Sequence, residues 1–191
     1  MSSLFFQPNF DDRFQDIIFN DDPDEVLPWE ETYYPLIRAN FGKLFSDEFG
    51  GFKIAPNPDN KKRRKNIDIQ SISATSILIL SQRAVNAIDD IIKSCGQYLP
   101  VIFDWKDYCA FHVTRTISNA VIWEQSEYRE DDQGKILYRP TLKEEMVRGE
   151  DIFMLCEDSV RIYFSQRLIE RCESSQLKGF NFSSLRPIQA I

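Results

Sequence analysis

The stretch Ile77–Val101, ILILSQRAVNAIDDIIKSCGQYLPV, decides how this chain is read. Ile77-Leu78-Ile79-Leu80 is an unbroken apolar run, the signature of a buried strand. Ser81 follows as an N-cap, because its hydroxyl can accept an orphan backbone N–H of a first helical turn. Ala84, Ile88, Ile91 and Ile92 then fall at i, i+4, i+7 and i+8, one face of a helix. Gly96 stands where a helix stop is expected, at C′. Tyr98–Phe103 resumes an extended run in which Pro100 marks an edge or strand entry.

A similar unit comes near the end, Val160–Leu185, VRIYFSQRLIERCESSQLKGFNFSSL. Val160–Phe164 reads as a strand, Ser165 as a cap, and Leu168, Ile169 and Cys172 as the apolar side of a short helix. Gly179 is the expected stop and Phe180-Asn181-Phe182 the expected closing strand. Ser81-Gln82-Arg83 and Ser165-Gln166-Arg167 occupy the same place in the two units. Capping chemistry alone would place a serine there, so the units are read as similar rather than as duplicated.

Further strands are expected at Phe52–Ile54, Ile67–Gln70, Tyr108–Thr116, Ile136–Tyr138 and Ile152–Leu155. Arg129–Lys135 reads as a hairpin loop and Glu157-Asp158 as a tight turn, while Leu142–Val147 suits either a strand or one helical turn. Short strands outnumber two short helices. The expected class is α+β, a mainly antiparallel or mixed sheet with the two helices packed on it.

The 191 residues suit one domain with an elaborated end. The formal charge of −7 is unevenly placed, for residues 1–60 hold twelve acids against four bases and the remainder is near neutral. Residues 1–60 are read as an acidic, aromatic-rich region packed on the core, with Trp29, Tyr33, Tyr34, Leu36 and Phe41 as anchors, and residues 67–191 as the α+β domain. Such a balance repels nucleic acid and anionic membranes and attracts basic protein surfaces. The one basic run, Lys61–Lys65, lacks interleaved aromatics and a second basic face, and is read as an exposed, mobile loop. No apolar run approaches a membrane span, and Leu4-Phe5-Phe6 is too short for a signal peptide, so a cytoplasmic chain with reduced thiols is expected.

Chemistry-bearing motifs are absent from the sequence. No Gly-rich phosphate cradle and no nucleophile elbow occurs. His112 is the only histidine and is read as a packed strand residue. Cys109, three positions before it, would project from the opposite face of the same strand, against a dyad. Cys95, Cys109, Cys156 and Cys172 are read as small buried hydrophobes. Glu124, Glu127 and Glu130 could share a helical face but offer poor metal chemistry without histidine. No cofactor, metal or catalytic residue is expected.

The order of the segments carries a resemblance. An apolar strand leads into a Ser-start helix and a Gly-x-x-Leu-Pro strand, here Leu78–Ser94 and Gly96–Pro100. An acidic, Ser-containing segment follows, here Trp123-Glu124-Gln125-Ser126-Glu127, and then an Ile-Phe-x-Leu strand, Ile152–Leu155. A second strand and Ser-start helix close on Leu-x-Gly-Φ-x-Phe (Φ apolar), here Leu177–Phe182. Over roughly residues 67 to 188 this resembles the immunity proteins of bacterial polymorphic-toxin systems, the large group first typified by a myxobacterial protein. The family often has an Asp pair where this chain has Trp123-Glu124. The resemblance implies a cytoplasmic, non-enzymatic protein that neutralises a cognate toxin by stoichiometric binding, and it carries no catalytic residues. The implied partner is a toxin domain, basic and secreted; a homo-oligomer is compatible with the sequence, and nucleic acid and membrane are not implied. A docking face is then expected in the N-terminal third, with Asp21, Asp22, Asp24, Glu25, Glu30 and Glu31 as rim charges and Trp29, Tyr33 and Tyr34 as anchors. A toxin-free interaction scaffold and a carboxylate-dependent enzyme are the competing expectations.

Overall fold

All four residues of the run Ile77–Leu80 are sealed from solvent, because each face of their strand meets a different core. Leu78 and Leu80 pack among the helices, whereas Ile77 and Ile79 pack among aromatics from the N-terminal third. The computed structural model describes residues 3–19, 33–103, 105, 107–132, 134–182 and 185–191. In chain order its elements are β1 (Leu4–Phe6), β2 (Ile17–Phe19), α1 (Tyr34–Ala39), β3 (Phe52–Pro56), β4 (Ile69–Ser71) and β5 (Ile77–Ser81). Then come α2 (Gln82–Ile92), β6 (Gly96–Leu99), β7 (Val101–Ile102), β8 (Tyr108–Val113) and β9 (Thr116–Ile117). The last third holds β10 (Glu127–Asp131), β11 (Gly134–Arg139), α3 (Glu144–Val147), β12 (Ile152–Leu155), β13 (Asp158–Ser165), α4 (Gln166–Ser174) and β14 (Ile188–Gln189).

The class is α+β, with mixed and antiparallel sheets. One sheet runs β4-β5-β8-β6 and is antiparallel throughout. A second runs β14-β1-β13-β12-β9, antiparallel except for the parallel β12–β9 pair. The helices α2 and α4 pack on each other, α2 against β5 of the first sheet and α4 against β13 and β1 of the second. Ala84, Ile88, Ile91 and Ile92 of α2 and Leu168, Ile169 and Cys172 of α4 share one core with Leu78, Leu80 and Phe111 of the first sheet and Ile152, Met154 and Phe164 of the second. Both helical stripes are those expected from the 3.6-residue period. The outer face of the second sheet, with Phe153, Leu155 and Tyr163, is covered by Leu137, Leu142 and Val147.

The two βα units match in more than their serines. Each begins at an aspartate just before a hairpin's first strand, Asp68 before β4 and Asp151 before β12. Strand pairing returns the chain to that aspartate, since the backbone N–H of Ser81 donates to Asp68 O and that of Ser165 to Asp151 O, both at 2.8 Å. The capping hydroxyls then donate to the carboxylates, Ser81 Oγ to Asp68 Oδ1 at 2.9 Å and Ser165 Oγ to Asp151 Oδ1 at 2.7 Å. Each hydroxyl also accepts from its helix, from Ala84 N at 3.2 Å and Leu168 N at 3.1 Å. Arg83 and Arg167 complete the sites as ion pairs to the same two aspartates. Even the intervening glutamines act alike, Gln82 donating to Asn86 and Gln166 to Glu170 one turn on. The similarity is therefore a shared hydrogen-bond circuit, which capping by itself does not explain.

Arg83 also donates to Ser175 O and Gln176 O at the end of α4, and Arg171 of α4 donates to Ala87 O in α2. These contacts set the two helices antiparallel to each other.

Three expectations are corrected. Gly96 is no left-handed stop, for its backbone is extended and begins β6. It is small because a Cβ there would meet His112 O at 2.2 Å and the Phe111 ring at 2.7 Å. Phe180–Phe182 forms no strand: Phe180 makes one bridge to Phe10, and its ring is buried against Phe164. The expected loop Arg129–Lys135 is mostly strand, its chain reversing only between β10 and β11. Pro100 stands where the chain passes from the edge of one sheet, β6, to the edge of another, β2-β3-β7. That position suits a residue without an N–H to donate.

Candidate functional site

Of the residues expected to bind a partner, Asp21, Asp22, Asp24, Glu25, Trp29, Glu30 and Glu31 lie outside the described residues. The chain leaves the described structure at Phe19 and re-enters at Tyr33, whose rings are 5.3 Å apart. Tyr33 also stands edge-on to the buried Phe52 at 5.0 Å, and its hydroxyl accepts the backbone N–H of Lys53 at 3.0 Å. Tyr34 packs edge-on to Phe19 at 5.8 Å, and burial pushes its phenol up from the ordinary value. Both tyrosines therefore serve the aromatic layer that covers Ile77 and Ile79, and each keeps part of its surface exposed.

The residues with chemical potential are bound into the frame. His112 is fully buried on β8. Its Nε2 lies 3.1 Å from Asn40 O and 3.0 Å from Lys43 O, and its Nδ1 is 2.9 Å from Ser76 Oγ. Two carbonyls can only accept, so Nε2 carries the proton and Nδ1 accepts from the serine hydroxyl. A neutral imidazole thus pins the segment after α1 to the sheet, and burial holds its pKa below the ordinary 6.5. The stability it contributes is complete above about pH 6.5 and is lost as pH falls from there through the lower folded value. Urea midpoints measured between about pH 7.5 and 5 should fall toward acid, by at most ~1.4 kcal/mol per pH unit, and His112→Gln should flatten that slope.

Burial pushes the thiol of Cys109 to about 11 and that of Cys172 to about 12, so neither is a ready nucleophile. Cys156 departs from expectation: it is exposed at the β12–β13 turn. Among the described residues, no three His, Cys, Asp or Glu side chains gather as a metal site. Glu124, Glu127 and Glu130 share no helical face, since Glu124 lies in a short 3-10 turn and the other two on β10. A cleft of about 490 Å³ beside β1 holds Glu150 and Asp151, each already paired with an arginine, Arg115 and Arg167. The basic run Lys61–Lys65 is exposed as expected, although its backbone is tied at Arg64 to Arg13 and Gln15.

The accessible feature whose extent the sequence reading understated is the hairpin β10–β11. It pairs with no other strand among those described. Its inner face is seated by buried Leu137 and by Lys135, whose ammonium lies 4.8 Å above the Trp123 ring and 4.9 Å above Tyr128. Its root is fastened by Arg161, which donates to Leu137 O, and by Arg139, which donates to Pro187 O at 2.9 Å. The opposite face carries Ile136 and Tyr138, 39% and 51% exposed. The signal was present in the alternation Lys135-Ile136-Leu137-Tyr138-Arg139, in which both faces carry an apolar residue.

Among the described residues, His112, Asp68 and Asp151 are each tied into the frame by hydrogen bonds or ion pairs. Residues 13–186 match the model of the Immunity protein family (Imm11), and the chain belongs to that family. The match takes in most of the acidic N-terminal third as well as both βα units, a wider span than the segments that carried the resemblance. No curated protein matches the chain. Among the described residues no helix is long and apolar enough to cross a membrane.

Proposed function

We propose that this chain binds and neutralises a cognate toxin of a polymorphic-toxin system by stoichiometric association, in the cytoplasm of the cell that makes both. Membership of the immunity family over most of the chain carries this reading. The placement of charge supports a basic partner, because the acidic excess of the whole molecule is concentrated in its first third. Asp21, Asp22, Asp24, Glu25, Glu30 and Glu31 are the charges that draw the toxin in, with Trp29, Tyr33 and Tyr34 as the neighbouring aromatic contacts. The chain supplies no chemistry of its own and acts by covering the toxin's surface.

Co-expression with the toxin-encoding open reading frame that this reading expects directly upstream is its test. Rescue of growth and co-purification at one-to-one stoichiometry are expected; failure of both would overturn it. Changing the six acids to glutamine should slow association by roughly tenfold and flatten its dependence on salt. An unchanged rate and salt slope would remove that segment from the binding face.

A further inference from the structure

The two βα units carry the same hydrogen-bond circuit, and the chain itself shows what docks on the first. Past the end of α4, Ser175–Gly179 runs across Asp68 and Arg83. Arg83 gives one terminal nitrogen to Asp68 Oδ2 at 2.8 Å and the other to the carbonyls of Ser175 and Gln176, at 2.6 and 3.1 Å. The N–H of Lys178 donates to the same Oδ2 at 2.9 Å, while the Lys178 carbonyl accepts the N–H of Asp68 at 2.7 Å. Each of these bonds uses the backbone of the docked segment, so the circuit reads main chain rather than side chains.

Asp151 and Arg167 present the second set of these groups, and among the described residues no segment crosses them. The Arg167 side chain, 66% exposed against 49% for Arg83, lies back on the carboxylate, with Nε on Oδ1 at 3.0 Å and a terminal nitrogen on Oδ2. Among those residues no main-chain N–H reaches Asp151 Oδ2, and the N–H of Asp151 meets no acceptor. The neighbouring Arg115 is engaged by Glu150 and does not compete for Asp151. The cleft of about 490 Å³ beside β1 opens on this unit and is lined by Glu150, Asp151, Gln166 and Arg167 among others. Ser165 holds Asp151 as Ser81 holds Asp68, so the acceptor is already in position. Docking asks only that Arg167 turn one nitrogen from Asp151 to an incoming carbonyl, the posture Arg83 already has.

We infer that the Asp151–Arg167 cleft is a main-chain recognition site for the cognate toxin, which lays a turn of its backbone across the second unit as Ser175–Gly179 lies across the first. Arg167 takes toxin carbonyls, and the Asp151 carboxylate takes a toxin N–H. The inference rests on the immunity reading and adds to it a contact outside the N-terminal third. Dispersed acids govern how fast the complex forms; these hydrogen bonds, which act only in contact, govern how long it lasts.

The test has two arms, both on the full chain. In the first, a capped peptide with the sequence of residues 175–181, Ser-Gln-Leu-Lys-Gly-Phe-Asn, is titrated in at millimolar concentration and followed by backbone amide shifts. Shifts are expected at Glu150, Asp151, Gln166 and Arg167, and N-methylation at the peptide's lysine nitrogen should weaken binding by roughly tenfold. No shifts at these residues, or equal affinity for the methylated peptide, would overturn the main-chain site. In the second arm, dissociation from the toxin that the immunity reading expects upstream is measured for Arg167→Ala and for Asp151→Asn, which keeps an acceptor for Ser165. Arg167 is exposed, so its removal should leave the melting temperature near the parent's. Each variant should dissociate about tenfold faster, with the salt dependence of association as in the parent. If the parent chain binds and rescues but neither variant dissociates faster, the inference falls and the immunity reading stands. Conversion of a dimer to a monomer with toxin binding intact would assign the cleft to a second copy, and the inference falls likewise. Absence of any binding or rescue by the parent chain sinks both.

Discussion

Gly179→Ala is expected to leave little folded protein, with a loss of more than ~4 kcal/mol. The position combines two demands. Its φ of +124° lies where side-chain-bearing residues are strained, and a Cβ there would stand 2.0 Å from the carbonyl oxygen of Ile69. That oxygen belongs to backbone, so it cannot swing aside as a flexible side chain would. Relief would require parting the Lys178–Gly179 segment from the first βα unit, and this segment holds much. Lys178 O accepts the N–H groups of Asp68 and Ile69, at 2.7 and 3.0 Å, and Gly179 O accepts that of Asp11 at 2.8 Å. Gly134→Ala supplies the control. Gly134 has a similar φ of +119° with nothing close to its Cβ position, so only the backbone strain, about 1–3 kcal/mol, should appear. Urea unfolding of the two variants separates collision from conformation; equal losses would show that the approach to Ile69 is unimportant.

The second large effect is expected at Asp68. Its carboxylate accepts from Ser81 Oγ, from Arg83 and from the backbone N–H of Lys178, the last two at Oδ2 from 2.8 and 2.9 Å. Asp68→Ala leaves a capping hydroxyl and a backbone N–H without their acceptor, each worth about 1–3 kcal/mol. Arg83 is half exposed and adds less than ~1 kcal/mol. A loss of about 3 kcal/mol is expected, which is roughly 6–12 °C in melting temperature for a chain of this length. Asp151 has the matching role with Ser165 and Arg167 but, among the described residues, no backbone N–H from a distant segment, so Asp151→Ala should cost about half as much. Thermal melts that ranked the two aspartates in the opposite order would refute this account of the circuit.

What the sequence disclosed, and what it withheld, follows from the range of the forces involved. Ile77–Leu80 could be read as a covered strand because four consecutive apolar side chains have no reason to coexist on a half-wet one. The serine caps and helical stripes were readable because each involves residues within two turns of one another. Asp68 and Asp151 carried no such mark, since their equivalence depends on hairpins that return the chain to them. Gly96 and Gly179 looked alike as stops, yet one is set by the approach of Phe111 and His112 and the other by Ile69. The hairpin β10–β11 was read too short because its charged first strand, fully exposed, gives no burial periodicity. Of the expected binding residues, Tyr33 and Tyr34 fall in the described structure, where their rings hold the N-terminal aromatic layer together.

Strand β1 has one more consequence, and it concerns time. Phe5 pairs with Ser165 on one side and Ile188 on the other, so the second sheet joins residues about 160 positions apart or more. Closing a loop of that length yields nothing until both ends are in place, and folds rich in such pairings are slow to form. On the ribosome, β13 reaches the exit long after β1, leaving Phe5 and Phe6 without their strands throughout most of synthesis. The first βα unit, whose strands and helix all lie within Ile69–Val113, has no such wait. Protection should therefore appear early in that unit and last where β1 enters between β13 and β14. The second sheet therefore closes only once β13 and β14 have been made, long after the first unit can fold.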